Sequence, residues 1–391
     1  KANCSMLFLH KDNIEQLFLY SLFNCFNQNK IYMKRISIKD LAKKTGLSTT
    51  TISRVLNGKA KQYRISEEAA QLVILTAQKE GYKPDRNAVS LRTNRSHTIG
   101  VIVPNIADYY FSSLSRMIEI AARKIGYSIL LSDSQESIEL EIESIDTLIS
   151  RKVDGLIILP IGNKSQHLSN VIELGMPLVL ADRHFPLLEC PQVFSDNHNG
   201  AFCATELLIK KNHTRIACIQ GRQNTSVNNE RILGYKEALA KYGINPDPSL
   251  IIGDEFGLRS GYVSAKILIN LIPRPSAIFA FSNTISLGAL RAIYEENLNI
   301  PNDISLVSFD HDQPYSEFLK TPITSVVQQT SELGQIAFKL LMAEINNKDS
   351  SKEQESLSKA KFVTLPTTLK ERRSVKTIKQ GKRNLISKIK N

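Results

Sequence analysis

Two groups of polar side chains in this chain have types and spacings that suit molecular recognition. The first group lies on one face of a helix-forming segment near the N-terminus, opposite an apolar face: Thr49, Thr50, Ser53 and Arg54. Small hydroxyl groups and a guanidinium at such a position suit hydrogen bonding to base edges in the major groove of DNA. Neighbouring hydroxyl and ammonium groups could contact phosphates, namely Ser48, Thr51, Lys59 and Lys61. The pattern predicts a base-contacting helix, and a merely solvated polar face is the plainer alternative.

The second group consists of polar and aromatic residues that follow strand-forming runs or lie early in helices: Tyr110, Phe111, Asp182, Arg231, Phe256, Asn283, Asp310 and Gln328. In α/β folds, ligands bind at the carboxyl ends of strands. Carboxylate acceptors, amide and guanidinium donors and an aromatic face together suit a polyol or a purine. Arg231 is the strongest candidate, because an arginine near a helix start opposes the dipole and favours an anionic or polyol partner. The plainer alternatives are a helix cap for Asp182 and ordinary packing for the aromatic rings.

Three predicted helices position the first group. Ser37 has capping-box spacing and opens a helix that ends near Gly46. A second helix follows over Thr49–Leu56, and a third starts at Ser66. Two short helices joined by a glycine-containing turn predict a helix-turn-helix. Residues 34–96 carry 14 Lys or Arg and 5 Asp or Glu, and this basic balance favours a polyanionic partner.

A short helix-forming segment, Asn87–Arg92, follows Pro84 and is too short to be stable alone in water. Its apolar Ala88 and Leu91 have no obvious core, so we expect a helix that orders only on DNA. Paired with its copy in a dimer, it would insert Leu91 between base steps from the minor groove. Three arginines would then lie beside phosphates, namely Arg86, Arg92 and Arg95. A plain linker is the alternative.

The second group is positioned by alternating strand and helix patterns. The predicted strands are 99–103, 128–131, 155–159, 178–181, 216–219, 277–281, 306–309, 324–327 and 362–365. The predicted helices are 111–125, 136–151, 197–211, 229–242, 260–271, 284–297 and 331–346. Continuous apolar strands alternating with helices predict parallel sheets that are covered on both faces. The length of this region favours two α/β lobes, with the chain crossing between them about three times.

Composition excludes several classes of protein. The chain has 391 residues and a formal charge of +12, yet residues 97–369 are net acidic. Its five cysteines form no C-x-x-C pair, which disfavours a disulfide framework or a zinc ribbon. No run of apolar residues is long enough for a transmembrane helix. The glycine-rich dinucleotide and phosphate loops and the H-E-x-x-H and G-x-S-x-G motifs are all missing from the sequence. A metal site, a cofactor or an enzyme is therefore not predicted.

The two ends of the chain are predicted to be accessory segments. Residues 1–35 include the apolar stretch Met6–Phe26, which charged residues interrupt, so a secretory signal is not expected. We expect residues 1–35 to be an upstream or accessory, disordered segment, with an amphipathic helix as the alternative. Residues 370–391 carry 9 Lys or Arg and 1 acidic residue, and we expect a solvated basic tail that adds non-specific attraction to DNA or nothing.

The chain resembles the LacI/GalR family of bacterial transcription regulators over residues 36 to about 371. The motifs that carry this resemblance are Ile38-Lys39-Asp40-Leu41-Ala42, Gly46-Leu47-Ser48, Thr51 to Asn57, Gly81-Tyr82-Lys83-Pro84, Ser90-Leu91-Arg92-Thr93 and Thr98 to Ile102. The resemblance implies a helix-turn-helix domain over 36–83, a hinge helix over 84–97 and an effector-binding and dimerisation core over 98–369. That core is similar to periplasmic sugar-binding proteins.

The resemblance also implies roles for particular residues. The positions of Thr49, Thr50 and Arg54 contact bases in the family, and the position of Leu91 is the minor-groove lever. The DNA-contacting set is completed by Ser48, Thr51, Ser53, Asn57, Ala88 and Arg92. The family's effector positions match Asp182, Arg231, Asn283, Asp310 and Gln328, with Phe256 as a stacking wall. Tyr110 and Phe111 are expected at the near lip of the cleft.

Two positions depart from the family pattern. Thr284 stands where an Asp often follows the Asn, which implies a weaker structural hydrogen bond or a changed ligand. Asp108-Tyr109 stands where Asn-Pro is common, which implies an altered cleft rim. The path of the basic segment Lys59–Arg64 is left open.

The sequence therefore predicts a cytoplasmic, nucleoid-associated repressor that binds double-stranded operator DNA as a homodimer, without a membrane partner. Its expected effector is a sugar or sugar phosphate, with a purine corepressor as the alternative. Two other classes remain as weaker hypotheses. A transport solute-binding protein is disfavoured by residues 34–96, and a dehydrogenase-like enzyme by the missing glycine fingerprint.

Overall fold

The computed structural model describes residues 36–82, 95–310, 314–347 and 362–379, which belong to two compact units divided near residue 94. The predictions for residues 1–35, for the helix containing Ala88, Leu91 and Arg92, for the polar stretch before residue 362 and for residues 380–391 lie outside these ranges. Within these ranges, no helix is long and apolar enough to cross a membrane.

The first unit is a bundle of three helices, as predicted. They are α1 (Ile38–Thr45), α2 (Thr49–Leu56) and α3 (Glu67–Lys79). Serine hydroxyls cap all three N-termini, and the first is a complete capping box in which Asp40 also accepts a hydrogen bond from the Ser37 amide at 2.9 Å. Gly46 ends α1 with φ of +70°, a left-handed conformation that glycine adopts without steric cost.

One small apolar core holds the bundle together. Leu41, Ile52 and Val73 contribute one fully buried side chain from each helix. The alternation of these side chains with polar ones leaves the Thr49 and Thr50 end of α2 facing solvent. The core therefore fixes which face of α2 is available to another molecule.

The second unit has two lobes, each built on a six-stranded sheet. Its strands are β1 (Thr98–Val103), β2 (Ser128–Asp133), β3 (Leu156–Ile158), β4 (Leu178–Ala181), β5 (Gln192–Ser195), β6 (Ile216–Ile219), β7 (Ile251–Ile252), β8 (Ala277–Ala280), β9 (Ser305–Phe309), β10 (Thr324–Val327), β11 (Phe362–Leu365) and β12 (Thr368–Lys370). Its helices are α4 (Tyr109–Lys124), α5 (Ile138–Ser150), α6 (Gln166–Glu173), α7 (Asn197–Lys210), α8 (Ser226–Lys241), α9 (Leu258–Ile269), α10 (Asn283–Glu295) and α11 (Thr330–Asn347).

The sheet of lobe 1 has the order β11-β5-β4-β3-β1-β2 with all strands parallel. Both of its faces are covered, because Val101 and Val103 join a core with α4 and α11 whereas Ile102 joins a core with α5 and α6. The sheet of lobe 2 has the order β12-β10-β9-β8-β6-β7 and is parallel except for the antiparallel β12. The predicted α/β architecture is confirmed.

The chain crosses between the lobes three times, after β5, after β10 and after β11. The last part of lobe 1, α11 and β11, therefore comes from the far end of the sequence. Sequence patterns missed β5, β7, β12 and α6. These elements have at most eight residues each, and the strands lie at or near sheet edges, where an apolar run is not required.

Two expectations about the polar segments of this unit are wrong. Arg95, expected beside DNA phosphates, donates hydrogen bonds to Asn346 Oδ1 at 2.9 Å and the Ile345 carbonyl at 3.3 Å, where it satisfies the end of α11. Residues 371–379, expected as a solvated tail, lie along lobe 2. Ser374 there is fully buried, and its hydroxyl accepts a bond from the Thr324 amide at 2.8 Å. Charge alone misled the prediction, because backbone hydrogen bonds, the Ser374 hydroxyl and the Arg372 guanidinium hold this segment. Arg372 donates to the Ile323 carbonyl at 2.9 Å and to Glu317 Oε1 at 3.0 Å.

We expect Ser374→Ala to lower the free energy of unfolding of the second unit by about 1–3 kcal/mol, because it leaves the buried Thr324 amide and Leu306 carbonyl short of a partner. Chemical denaturation of the full chain measures this change. Thr377→Ala, an exposed position in the same segment, is the control and should change stability little. Equal stability of the Ser374 variant and the parent would show that the segment does not brace lobe 2.

Candidate functional site

The polar end of α2 is accessible and locally ordered. Ser48, Thr49, Thr50 and Asn57 are exposed, and Thr51, Ser53 and Arg54 are partly so. The Ser48 hydroxyl accepts a hydrogen bond from the Thr51 amide at 3.0 Å and lies 2.8 Å from the Thr51 hydroxyl. All seven predicted positions on or beside α2 therefore share one accessible region, whereas Ala88, Leu91 and Arg92 lie outside the described residues.

The segment Lys59–Arg64 forms a series of turns that returns to the end of α2. Its Tyr63 ring lies under the Arg54 guanidinium, 3.9 Å from ring centroid to guanidinium carbon. Such stacking orients a guanidinium without using its hydrogen-bond donors. The structure thus supplies a path for this segment and a reason for Arg54 to hold one orientation, which the sequence did not reveal.

The second unit encloses a cavity of about 70 Å³ between its lobes. All eight predicted effector residues line this cavity, and they come from both lobes. Seven further residues line it: Asn105, Glu136, Arg183, Val227 and Ser282, together with Asp108 and Thr284, the two departures from the family pattern that were expected to affect the cleft. A larger cavity of about 740 Å³ adjoins it and shares Tyr110, Asp310 and Gln328. The eight predicted effector residues thus lie close together in the folded chain.

A hydrogen-bond network joins the lobes at the boundary between the two cavities. The Tyr110 hydroxyl of lobe 1 lies 2.6 Å from Asp182 Oδ1 and 3.2 Å from Gln328 Oε1 of lobe 2. Gln328 Nε2 donates to both oxygens of Asp310 at 2.9 Å. Tyr110, expected at the near lip of the cleft, is therefore buried between the lobes and lines both cavities. Its single hydroxyl proton can serve only one of its two acceptors at a time.

Arg231 is held on every side by protein groups. Its Nε donates to Asn197 Oδ1 at 2.9 Å, a terminal nitrogen donates to the Phe281 carbonyl, and another lies 3.8 Å from Asp310 Oδ2. The Phe309 ring covers one face of the guanidinium at 3.7 Å. The anionic partner expected from the sequence is thus supplied by the chain itself, through Asp310.

A second buried arginine, Arg183, follows β4 beside Asp182 but was not predicted to contact the effector. Its terminal nitrogens donate to both oxygens of Glu136 at 2.8 and 3.2 Å, a bidentate pair. Glu136 lies in a turn with φ of +55°, which directs it towards the cleft. A turn of this kind leaves no periodic signal. The adjacency of Arg183 to Asp182 was the only available indication.

Asp108 and Thr284, the two residues that depart from the family pattern, form hydrogen bonds at the rim of the cleft. Asp108 Oδ1 accepts hydrogen bonds from the Tyr110 amide at 2.8 Å and from Asn283 Nδ2 of lobe 2 at 3.1 Å. The Thr284 hydroxyl lies 3.0 Å from the Ser282 hydroxyl and donates to the Phe256 carbonyl at 3.2 Å. Asp108 thus forms a direct bridge between the lobes, and Thr284 fixes the loop that carries Phe256.

Phe256 forms one wall of the cavity, as predicted. A side chain at Gly221 would lie 2.3 Å from the ring, so only glycine permits this packing. The Arg183 guanidinium lies 5.7 Å from the ring centroid on the side of lobe 1. Phe111 contributes less, since it is partly buried against the core of lobe 1 and meets the Tyr110 ring edge-on at 5.3 Å.

Burial dominates the ionisation of the acidic side chains in the cleft. It raises the pKa of Asp310 to about 7, against the opposing attraction of Arg231 and the hydrogen bond from Gln328. Burial also raises the pKa values of Asp182 and Asp108. Glu136 differs, because the attraction of Arg183 outweighs burial and lowers its pKa.

The ionisation of Asp310 predicts a pH dependence of stability. Folding raises the pKa of Asp310 from its ordinary value of 3.8 to about 7. At pH values between these two, the folded state therefore binds more protons than the unfolded state. This contribution to stability is present at low pH and is lost as the pH rises through about 7. We expect the free energy of unfolding to fall by about 2 kcal/mol between about pH 5.5 and about pH 8.

Denaturant titrations at these two pH values should show a smaller fall for Asp310→Asn than for the parent. Asp303→Asn is the matched control, because hydrogen bonds from Asn299 lower the pKa of this exposed Asp and it does not titrate in this range. A fall that is the same size in Asp310→Asn would assign the pH dependence to other groups.

Comparison with known proteins now defines the family. Residues 96–365 match the periplasmic binding proteins and sugar binding domain of the LacI family, and residues 37–85 match the bacterial regulatory proteins of the lacI family. The chain belongs to the LacI family of bacterial transcription regulators. The transcriptional repressor CytR of Escherichia coli is 33% identical over 308 residues, covering 78% of this chain and 89% of CytR.

Solved structures of the LacI family share this fold. A LacI-family regulator from Enterococcus faecium with bound ribose has a TM-score of 0.63 and 28% identity, covering 72% of this chain and all of that one. The lac repressor dimer bound to operator and an anti-inducer has a TM-score of 0.75 and 24% identity, covering 88% of this chain and all of that one. The relatives named here are transcription regulators, so this LacI-family chain is a DNA-binding transcription regulator and its cleft is of the sugar-binding-protein type.

Proposed function

We propose that the chain represses transcription as a cytoplasmic homodimer on a pseudo-palindromic operator, and that a sugar-like effector bound between the lobes sets its operator affinity. The observation that carries the proposal is the convergence of the eight predicted effector residues, which come from both lobes, on one cavity, in a chain that also presents the polar face of α2. The ribose bound to the Enterococcus faecium relative supports a sugar as the effector.

The mechanism follows from the contacts between the lobes. Asp108 with Asn283, and Tyr110 with Gln328, join the lobes directly. An effector that competes for these groups changes the balance between lobe arrangements, and it can do so only to the extent that it binds one arrangement more tightly. In a dimer, that change alters the spacing of the two hinge segments and hence whether both DNA-binding units fit their half-sites.

The DNA half of the proposal is tested by incubating the purified full chain with genomic fragments at low ionic strength, with and without cell extract. We expect recovery of fragments that contain inverted repeats, with an affinity that falls steeply as salt rises because phosphate contacts release counterions. Failure to retain any fragment under either condition would overturn the proposal.

The sign of the effector response separates the two candidate effector classes. Release of the operator on adding extract indicates an inducer of the sugar type, whereas tighter binding indicates a corepressor, as in the purine alternative. Analytical ultracentrifugation of the free chain and of the chain with its operator fragment tests the dimer.

A further inference from the structure

We propose that the cleft selects a neutral, hydroxyl-rich effector and excludes phosphate esters and other anions. This inference rests on the proposed function and narrows it, since the sequence allowed both a sugar and a sugar phosphate. The side chains that line the cavity are what would discriminate a neutral sugar from a phosphate ester.

Acidic side chains outnumber basic ones around the cavity. Four carboxyl groups line it, namely Asp108, Glu136, Asp182 and Asp310, against two guanidinium groups, Arg183 and Arg231. The other lining residues are uncharged. An anion entering this buried space meets more acidic than basic groups, and repulsion between like charges is strong where water is scarce.

Both arginines that line the cavity already bind groups of the protein. Arg183 forms its bidentate pair with Glu136 and also donates to the Pro160 carbonyl at 3.3 Å. Arg231 is shared among Asn197, the Phe281 carbonyl and Asp310. A phosphate would have to break such a pair to be bound, and a carboxylate deprived of its arginine would then remain buried and unpaired.

Helix N-termini often bind phosphate, and α4, α8 and α10 each contribute lining residues from their first turn. In all three, a side chain of the protein already accepts a hydrogen bond from an early amide. Asp108 accepts from the Tyr110 amide at 2.8 Å, Thr225 accepts from the Asn228 amide at 3.4 Å, and Ser282 accepts from the Ile285 amide at 3.1 Å. The first of these caps is itself an anion, which cancels the attraction of the α4 dipole for another one.

The adjoining cavity does not supply the missing positive charge. Its charged lining residues outside the shared wall are one base, Arg116, and one acid, Glu332. The remainder is largely hydroxyl and amide groups, which suit the hydroxyls of a sugar. With about 740 Å³, it falls within the usual size of small-molecule pockets, roughly 300–1,000 Å³.

Glu136 is therefore the residue to substitute, because its carboxylate already accepts the hydrogen bonds that Arg183 could donate to a phosphate. The full chain, Glu136→Gln and the control Glu139→Gln are titrated calorimetrically with inorganic phosphate and with ribose 5-phosphate. Glu139 is an exposed acid three residues away that does not line the cavity. We expect no detectable binding by the parent and the control, and detectable binding by Glu136→Gln once Arg183 is released, with a dissociation constant at least about tenfold below the detection limit of the experiment.

Two results would overturn the inference. One is binding of either phosphate compound by the parent chain. The other is no gain in the Glu136→Gln variant, provided that its circular dichroism and thermal unfolding match those of the parent. If that variant is misfolded, Glu136→Ala, which also removes the carboxylate that pairs with Arg183, is titrated under the same criterion.

Small molecules retained by the purified chain from a bacterial metabolite extract give an independent measurement. Mass spectrometry should find neutral sugars or related polyols, and a retained phosphate ester would contradict the proposed selectivity. Operator binding is measured on the same samples. A chain that binds DNA and responds to a phosphate ester refutes only this inference, whereas a chain that binds no DNA refutes the proposed function.

Discussion

Replacing Arg231 with alanine should abolish the effector response and destabilise the second unit by about 3–5 kcal/mol. The substitution removes a buried guanidinium that joins Asn197 at the start of α7, the carbonyl after β8 and the carboxylate after β9. Asp310 would then remain buried with Gln328 as its hydrogen-bond partner but without a charged one. Thermal unfolding and the extract-dependent change in operator affinity measure the two effects.

Because this variant loses stability as well as response, a second substitution separates the two. Arg231→Lys keeps the positive charge but not the planar donors, so it should fold and still respond poorly. Arg215→Ala is the control, since Arg215 lies in the same lobe and pairs with Asp247 on the surface. A full effector response in a folded Arg231→Lys variant would place the effector elsewhere.

Arg54→Ala should weaken operator binding by about 10- to 100-fold while leaving the fold of the first unit intact. A guanidinium that contacts a base through two hydrogen bonds contributes about 1–3 kcal/mol of discrimination. The stacking of Arg54 on Tyr63 adds a corollary, because Tyr63→Leu should cause a smaller loss by removing the surface that orients the guanidinium. Fluorescence anisotropy with the selected operator fragment measures both.

The control for Arg54 is Lys79→Ala, which removes one positive charge from the end of α3 and not from α2. It should reduce affinity only modestly and alike for operator and random DNA, as loss of a general electrostatic contribution does. Should Arg54→Ala lower affinity equally for both kinds of DNA, Arg54 would be a phosphate contact and the base-contacting assignment would be wrong.

The sequence predicted those parts of the structure that are dictated by local chemistry. Serine caps at Ser37, Ser48 and Ser66 marked the three helices of the first unit, because each side chain acts within its own turn. The eight effector residues were found for a related reason. They follow buried strands or lie close to helix starts, and parallel strands bring such positions to one edge.

The remaining features depend on contacts between distant residues. Glu136 enters the cleft only because its backbone adopts a left-handed turn opposite Arg183, 47 positions away. Ser374 is buried because its segment packs against Leu306, 68 positions away. The basic composition of that segment does not predict such a contact. Separations of this kind produce no periodicity, so residue types and spacing could not have located either group.

The three passages between the lobes have a consequence for synthesis of the protein. Lobe 1 begins at residue 98 but lacks an edge strand and a covering helix until α11 and β11 have left the ribosome. The three-helix unit, in contrast, is complete at residue 79, before lobe 1 begins. A polypeptide terminated early would therefore carry a finished DNA-binding head on an unfinished sensor with exposed apolar surface, a target for chaperones and proteases. The sheet of lobe 1 can therefore be completed only after residue 365 has been synthesised.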